Sequence, residues 1–267
     1  MPSPSALLAL ARWPNALTAA AGVVVGAWWA HGALGPAVGW AALAAIAITV
    51  AANAWNDVAD LEIDRIAHPD RPLPLGALTP REATGVAWLA AVLAVPLAWL
   101  AAPRIAILTV GVLGVARAYS PHLKRWGLLG NAAVAVVASL PFLYGSWAVG
   151  QPARGAILVA IAVPLHFARE VAKDLDDAAG DAGWRRTLPV AHGPRRARSV
   201  IALAAAAFLL ALAWPAARAP LFALALLPAI GLSIAGAGAA VRGRPGGPTL
   251  FKAAMVCAML AVIAARP

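Results

Sequence analysis

Two sets of aspartates repeat one spacing in this sequence, with successive members three and then four positions apart. The sets are Asp57, Asp60 and Asp64, and Asp174, Asp177 and Asp181. At about 100° per residue, the members of each set share one face of a helix. Another oxygen-bearing side chain, Asn53 or Glu170, stands four positions before each set. The pattern therefore predicts two helices that each carry an acidic face.

All eleven acidic residues of the chain fall into two windows, residues 57–82 and 170–181. One interpretation is that they mark solvated helix ends. Acidic side chains are unfavourable at a helix C-terminus, though, and solvation does not predict one spacing twice. Two facing carboxylate clusters repel each other unless a cation lies between them. Hard oxygen ligands favour Mg²⁺ or Ca²⁺, and substrate phosphates commonly complete a Mg²⁺ site. With the nearby Lys and Arg residues, the pattern predicts a diphosphate bound through Mg²⁺.

Basic and aromatic residues near the two sets are suited to such chemistry. Arg71 follows the first set, Lys173 adjoins the second, and Lys124 lies five positions after Tyr119. Taken one at a time, each of these cations is better explained as an anchor at the cytoplasmic membrane surface. Lys124 stands out because it shares a short segment with Tyr119, whose ring face can stabilise a cation.

The elements that position these residues are predicted to be membrane-spanning helices. Of the 267 residues, 62% are hydrophobic and only 12% are charged, whereas a soluble domain carries about 25% charged residues. A spanning helix needs about 20 mostly apolar residues. Nine candidates are separated by Gly and Pro: 15–33, 37–59, 82–101, 104–120, 127–149, 154–176, 196–217, 219–240 and 249–265. We predict an all-α polytopic membrane protein in which residues 1–267 form a single domain, with a pseudo-repeat of acidic helices 2 and 6.

The basic residues predict the orientation of these helices. With the N-terminus in the cytoplasm, all but four of the 21 Lys and Arg residues fall on the cytoplasmic side, as the positive-inside rule requires. Both acidic windows then lie at the cytoplasmic face of the cell membrane. The net charge of +10 does not indicate a nucleic-acid partner, because no soluble domain with a basic patch is visible.

The motifs resemble those of a known family. Residues 56–64 read Asn-Asp-x-x-Asp-x-x-x-Asp and precede Pro-Asp-Arg-Pro-Leu-Pro at 69–74, which resembles the first motif of the UbiA superfamily of intramembrane prenyltransferases. Residues 169–181, with Thr-Leu-Pro at 187–189, resemble its second motif. The segments 12–15 and 119–145 are similar to the family's first and middle segments. The resemblance covers residues 12 to about 190 and implies the family's nine-helix bundle.

The resemblance implies a reaction and a partner set. Family members bind a polyprenyl diphosphate donor and a hydrophobic or amphiphilic acceptor in the lipid bilayer. The phrases Arg-Glu-x-x-Lys-Asp and Gly-Asp before Thr-Leu-Pro are most similar to the branch that makes archaeal-type ether lipids. That branch transfers a geranylgeranyl group to geranylgeranylglyceryl phosphate. Chlorophyll synthases and quinone-pathway enzymes that use aromatic acceptors such as 4-hydroxybenzoate share parts of these phrases, so they remain alternatives.

The resemblance also implies roles for individual residues. The six aspartates would ligate Mg²⁺, and Lys124 and Tyr119 would join them as catalytic residues. The remaining substrate-binding candidates are Asn15, Asn53, Asn56, Arg71, Asn131 and Lys173. Glu62 points to the opposite face of its helix and is left out.

Two rival functions use similar residues. Ion-coupled transporters place acids within the membrane, but the acids here lie at one membrane face. CDP-alcohol phosphotransferases also use acidic helices and a metal, but their Asp-Gly-x-x-Ala-Arg phrase is absent from this sequence.

Overall fold

The computed structural model describes residues 3–30, 34–119, 123–181 and 186–265. Within these ranges the regular structure is helical and no strand occurs, so the predicted all-α class is confirmed. The chain divides into two compact units, one formed by Met1–His122 with Tyr144–Gln151 and the other by Leu123–Leu143 with Pro152–Pro267.

The first unit holds the helices that carry the first acidic set. They are α1 (Pro4–Ala11), α2 (Trp13–Ala30), α3 (Pro36–Ala59), α4 (Leu61–Ala67), α5 (Pro80–Ala101) and α6 (Pro103–Tyr119).

The second unit holds the second acidic set. It begins with a 3-10 helix, η1 (Leu123–Trp126), and with most of α7 (Leu128–Ala148), whose last five residues belong to the first unit. The other helices are α8 (Pro152–Asp176), α9 (Ala178–Asp181), α10 (Leu188–His192), α11 (Pro194–Arg218), α12 (Pro220–Ala225), α13 (Leu227–Val241) and α14 (Gly247–Ala264).

Proline sets most of the helix boundaries. Proline has no backbone N–H and its φ angle is already helical, so it suits the first turn of a helix and disrupts a helix interior. Seven of the helices described start on a proline: Pro4, Pro36, Pro80, Pro103, Pro152, Pro194 and Pro220. Pro14 and Pro228 follow the breaks between α1 and α2 and between α12 and α13.

Small side chains let the helices of the first unit approach closely. The face that α5 buries is made of alanines alone, at positions 83, 87, 90, 91, 94 and 98. α3 buries five alanines together with Val38, Ile48, Trp55 and Asp57. Gly145 on α7 lies against the backbone of α2, where an added Cβ would stand 2.7 Å from the nitrogen of Ala27. Close packing of small residues replaces the hydrophobic effect as the source of helix association in lipid.

Six of the described helices are long and apolar enough to cross a membrane, and the count is seven if α1 and α2 form one span bent by 53°. Each of the nine predicted segments coincides with a helix or a broken helix. The count of nine itself stays a prediction, because α6 has only 17 residues and the eighth segment is divided into α12 and α13.

Candidate active site

The three aspartates of the first set are buried where α3 meets α4. Asp57, Asp60 and Asp64 are 3%, 6% and 3% exposed. The predicted single helix is interrupted, since α3 ends at Ala59 and α4 begins at Leu61. Backbone hydrogen bonding continues through the break, with Asp60 N–H donating to Asn56 O at 2.9 Å and Asp64 N–H donating to Asp60 O at 2.8 Å. The set therefore keeps helical spacing, and all three carboxylates are withdrawn from solvent.

Two arginines neutralise this acidic cluster. Arg71 Nη1 lies 2.5 Å from Asp64 Oδ2 and 3.9 Å from Asp57 Oδ1. Arg12 forms a second, direct ion pair with Asp57 Oδ1. A buried carboxylate is strongly unfavourable unless it is paired and hydrogen-bonded, so these guanidiniums are what permits the burial. Arg71 therefore lies beside the first set, and its predicted role in substrate binding stays a prediction.

Arg12 is a site residue that the sequence pattern did not single out. It stands between α1 and α2 with φ +48°, the only positive φ among the non-glycine residues described. Asn53, one turn before Asp57 on α3, donates from Nδ2 to the Ala11 carbonyl at 2.9 Å. The segment between α1 and α2 is thus attached to two successive turns of α3, at Asn53 and at Asp57. One feature of the sequence could have identified Arg12. It directly precedes Trp13-Pro14, and the proline predicts that a helix ends beside this arginine.

Glu62 lies on the outer side of α4. Its side chain is 70% exposed and it pairs with Arg65 at 2.9 Å, three positions along the same helix. A pair this exposed contributes little to stability. Its direction away from the buried aspartates agrees with its exclusion from the site.

The second set lies at the end of α8, which also breaks. α8 stops at Asp176 and α9 covers Ala178–Asp181, so Asp177 lies between the two helices. Asp177 N–H still donates to the Lys173 carbonyl at 2.9 Å. The Asp174 carboxylate accepts a hydrogen bond at its Oδ2 from Asn131 Nδ2 at 2.8 Å. The side chain of Asp181 lies outside the described part of the structure.

The remaining candidate residues lie on five different helices, α2, α3, α6, η1 and α8. Tyr119 is the last residue of α6 and is half-buried, while Lys173 is exposed on α8. Lys124 belongs to η1, but its side chain lies outside the described part. Asn15 and Asn56 lie on α2 and α3, respectively.

Two acids near the second set have partners of their own. Glu170, which matches Asn53 in spacing, forms an ion pair with its neighbour Arg169. The Asp176 carboxylate lies within electrostatic reach of the backbone N–H of Gly246, the N-cap of α14. An acid at a helix N-terminus interacts favourably with the helix dipole.

A divalent cation fits the chemistry of these residues. Among the side chains described, no three His, Cys, Asp or Glu residues stand together as a metal site, and Asp57 and Asp64 are each paired with an arginine. The donor atoms are nonetheless buried carboxylate oxygens, which suit hard cations such as Mg²⁺. A cation that displaced the guanidiniums would keep the same charge balance.

Comparison with known proteins shows which proteins this chain is similar to. A profile described as the UbiA prenyltransferase family matches residues 16–265. A digeranylgeranylglyceryl phosphate synthase of Halobacterium salinarum is 43% identical over 208 residues, which cover 74% of this chain and 72% of the relative.

Solved structures share the fold. A UbiA homologue from Aeropyrum pernix K1 matches with a TM-score of 0.83 and 21% identity, covering 94% of this chain and 97% of the other. A UbiA homologue from Archaeoglobus fulgidus, solved with GPP and Mg²⁺ bound, matches with a TM-score of 0.71 and 20% identity, covering 97% of both chains.

Proposed function

Since the chain belongs to the UbiA prenyltransferase family, we propose that it transfers a geranylgeranyl group from its diphosphate to geranylgeranylglyceryl phosphate. It is a prenyltransferase and a multi-pass membrane protein. The acceptor is the proposed part. Support for this acceptor comes from the digeranylgeranylglyceryl phosphate synthase of H. salinarum, with which the chain is 43% identical. The Arg-Glu-x-x-Lys-Asp phrase at 169–174 supports the same branch over the aromatic-acceptor enzymes.

The observation that carries the chemistry is the burial of three carboxylates beside two arginines where α3 meets α4. Structural stability alone does not require such a cluster, because burial of charged groups is costly even when they are paired. Carboxylates and guanidiniums together can bind a metal diphosphate, because the acids ligate the metal and the arginines bind phosphate oxygens.

We propose that Mg²⁺ is the cofactor, as in the A. fulgidus homologue solved with GPP and Mg²⁺. The ligands would be Asp57, Asp60 and Asp64 in the first unit and Asp174, Asp177 and Asp181 in the second. Bound Mg²⁺ supplies Lewis-acid stabilisation of the charge that develops on the departing diphosphate.

The chain's own residues then have distinct tasks. Arg71 lies within the first acidic cluster and would bind diphosphate oxygens once it leaves Asp64. Lys124, Lys173, Asn15 and Asn56 would add contacts to the substrates. The bond between C1 of the prenyl chain and the diphosphate oxygen breaks, and the acceptor hydroxyl oxygen bonds to C1. The products are the ether, diphosphate and the proton of the hydroxyl. Tyr119 would stabilise the allylic cation through its ring face.

The proposed orientation places the N-terminus and both acidic sets at the cytoplasmic face. It rests on the distribution of Lys and Arg, which favours that side for the loops after α3, α6 and α8. A soluble diphosphate is then released directly into the cytoplasm.

The experiment uses the purified full-length protein in nanodiscs with Mg²⁺ and geranylgeranyl diphosphate. Geranylgeranylglyceryl phosphate and 4-hydroxybenzoate are offered in parallel, and the products are read by mass spectrometry. We expect the digeranylgeranyl ether with the first acceptor and no product with the second. Prenylation of 4-hydroxybenzoate alone would overturn the acceptor assignment. Absence of diphosphate release with every acceptor would overturn the reaction.

A further inference from the structure

We propose that Asn131 is a positioning residue, which holds the Asp174 carboxylate in the orientation needed to ligate the metal and does not itself bind substrate. The inference rests on the proposed function, in which Asp174 is a metal ligand. It departs from the substrate-binding role that the family resemblance implied. The contact that carries it is the hydrogen bond of 2.8 Å from Asn131 Nδ2 on α7 to Asp174 Oδ2 on α8, both within the second unit.

The rotation of α7 directs Asn131 into the second unit. Asn131, Ala135 and Ser139 recur every four residues and are 5%, 0% and 0% exposed. Leu129 and Val136 on the other side of the helix are 68% and 43% exposed. A helix with one buried and one exposed side has a fixed orientation, so the Asn131 amide has little freedom to turn towards solvent or lipid.

The start of α7 reinforces this placement. The Asn131 N–H donates to the Gly127 carbonyl at 3.1 Å and so closes the first turn of the helix. Gly127 has φ +53°, a conformation that favours glycine. The residue that contacts Asp174 is therefore held by the turn that begins its helix.

The chemistry of the pair fixes which atom donates. A carboxylate only accepts hydrogen bonds, so Asn131 must present its amide N–H to Asp174. A carboxylate has about four lone-pair sites, and one N–H occupies one of them. The hydrogen bond therefore restricts the orientation of the Asp174 carboxylate at its Oδ2.

A neutral donor is suited to this task. An amide orients the carboxylate without neutralising it, whereas the guanidinium of Arg12 beside Asp57 competes with a cation for the same oxygen. Partners that orient a metal-ligating carboxylate typically change metal affinity by about 10–100-fold when they are removed. Asn131 should therefore act on metal affinity and leave the affinity for the donor at saturating metal unchanged.

The test measures Mn²⁺ binding to the purified full-length protein by electron paramagnetic resonance. The probes are Mn²⁺ alone and Mn²⁺ with geranylgeranyl S-thiolodiphosphate, an unreactive donor analogue. We expect Asn131→Ala to weaken Mn²⁺ binding by about 10–100-fold, with the KM for the donor at saturating metal within twofold of wild type. Ser139→Ala is the matched control. It removes a buried hydroxyl from the same face of α7, where Ser139 Oγ donates only to the Ala135 carbonyl among the partners described.

A charge swap separates positioning from folding. The double variant Asn131→Asp with Asp174→Asn retains one amide–carboxylate hydrogen bond but moves the charge from α8 to α7. We expect the Tm of the double variant to be close to that of wild type, because the hydrogen bond is retained. We expect the double variant not to bind Mn²⁺, because the carboxylate has moved. Recovery of Mn²⁺ binding in the swap would overturn the inference, because the location of the carboxylate would then be unimportant.

The inference and the proposed function fail in different ways. Wild-type Mn²⁺ affinity in Asn131→Ala, together with lost affinity in Asp174→Ala, would overturn the positioning role and leave the proposed function intact. Wild-type metal binding and transfer in Asp174→Ala would overturn the proposed function itself.

Discussion

The guanidinium of Arg12 contacts the carboxylate of Asp57, although 45 positions separate the two residues in the sequence. Asp57 is 3% exposed and Arg12 is 30% exposed, so the pair reaches from the interior of the first unit towards its surface. The contact joins the break between α1 and α2 to the end of α3. Arg12 is therefore one of the residues that neutralise the charge of the first acidic set.

Arg12→Ala should destabilise the metal-free protein. Loss of one partner of a buried ion pair costs about 3–5 kcal/mol, and the partial exposure of Arg12 lowers this to about 1–3 kcal/mol. We expect a lower Tm in EDTA and a smaller loss for Arg12→Lys, which retains the charge. Thermal unfolding of Arg12→Ala at the wild-type temperature would show that the pair carries no stability.

Asp57→Asn and Glu62→Gln should differ sharply in activity. Asp57 is buried among the proposed metal ligands, whereas Glu62 lies in the same motif with a side chain that is 70% exposed. We expect Asp57→Asn to lower kcat/KM for geranylgeranyl diphosphate at least about 100-fold, since it removes charge stabilisation at the reacting diphosphate. Glu62→Gln should stay within about twofold. Equal effects of the two substitutions on labelled-donor turnover would refute the assignment of the first acidic set.

Tyr119 should act through its ring and not through its hydroxyl. If the ring face stabilises the allylic cation, Tyr119→Phe keeps most of the activity. Tyr119→Leu loses about 5- to 30-fold, as about 1–2 kcal/mol of cation–π stabilisation disappears. Steady-state kcat measures this difference. A loss in Tyr119→Phe as large as in Tyr119→Leu would point to the hydroxyl.

Tyr144 provides the comparison for Tyr119. Its hydroxyl is 2.8 Å from Thr109 Oγ1, and Thr109 also donates to the Ile105 carbonyl at 2.9 Å. Tyr144→Phe should therefore cost about 1 kcal/mol of stability and leave kcat unchanged.

Gly145→Ala should destabilise the first unit. The added Cβ would stand 2.7 Å from the Ala27 nitrogen, and neither backbone can move without separating α7 from α2. Overpacking of this kind costs about 1–3 kcal/mol. Gly111→Ala on α6 is the matched control, because its Cβ would meet no atom within 4 Å. Thermal unfolding in detergent compares the two, and equal Tm values would contradict the close approach.

The sequence predicted the helical class, the approximate span positions and the two acidic sets, because hydropathy and helical spacing are local properties. The breaks at Asp60 and Asp177 were less visible, since neither position is marked by a proline or glycine. Helical backbone hydrogen bonds continue through both positions, so the aspartates keep their helical spacing. That spacing alone does not show that the helix is interrupted.

Local sequence patterns did not predict which residues contact the acidic side chains. Asn53 was predicted to bind substrate, yet its amide donates to the Ala11 carbonyl. Asn131 was given the same role and contacts Asp174, which is 43 positions away. Contacts over such distances depend on how helices rotate and pack, and no short motif carries that information. The distribution of Lys and Arg predicts which side of the membrane each helix end faces, but not which carboxylate each cation meets.

The prolines at seven helix starts also bear on how much of the helix layout is specified locally. Each one ends the preceding segment and begins the next through its own ring geometry, without help from distant residues. The starting point of each of these helices is therefore specified locally in the sequence. Tertiary packing then determines the rotation and pairing of helices whose first turns are already specified.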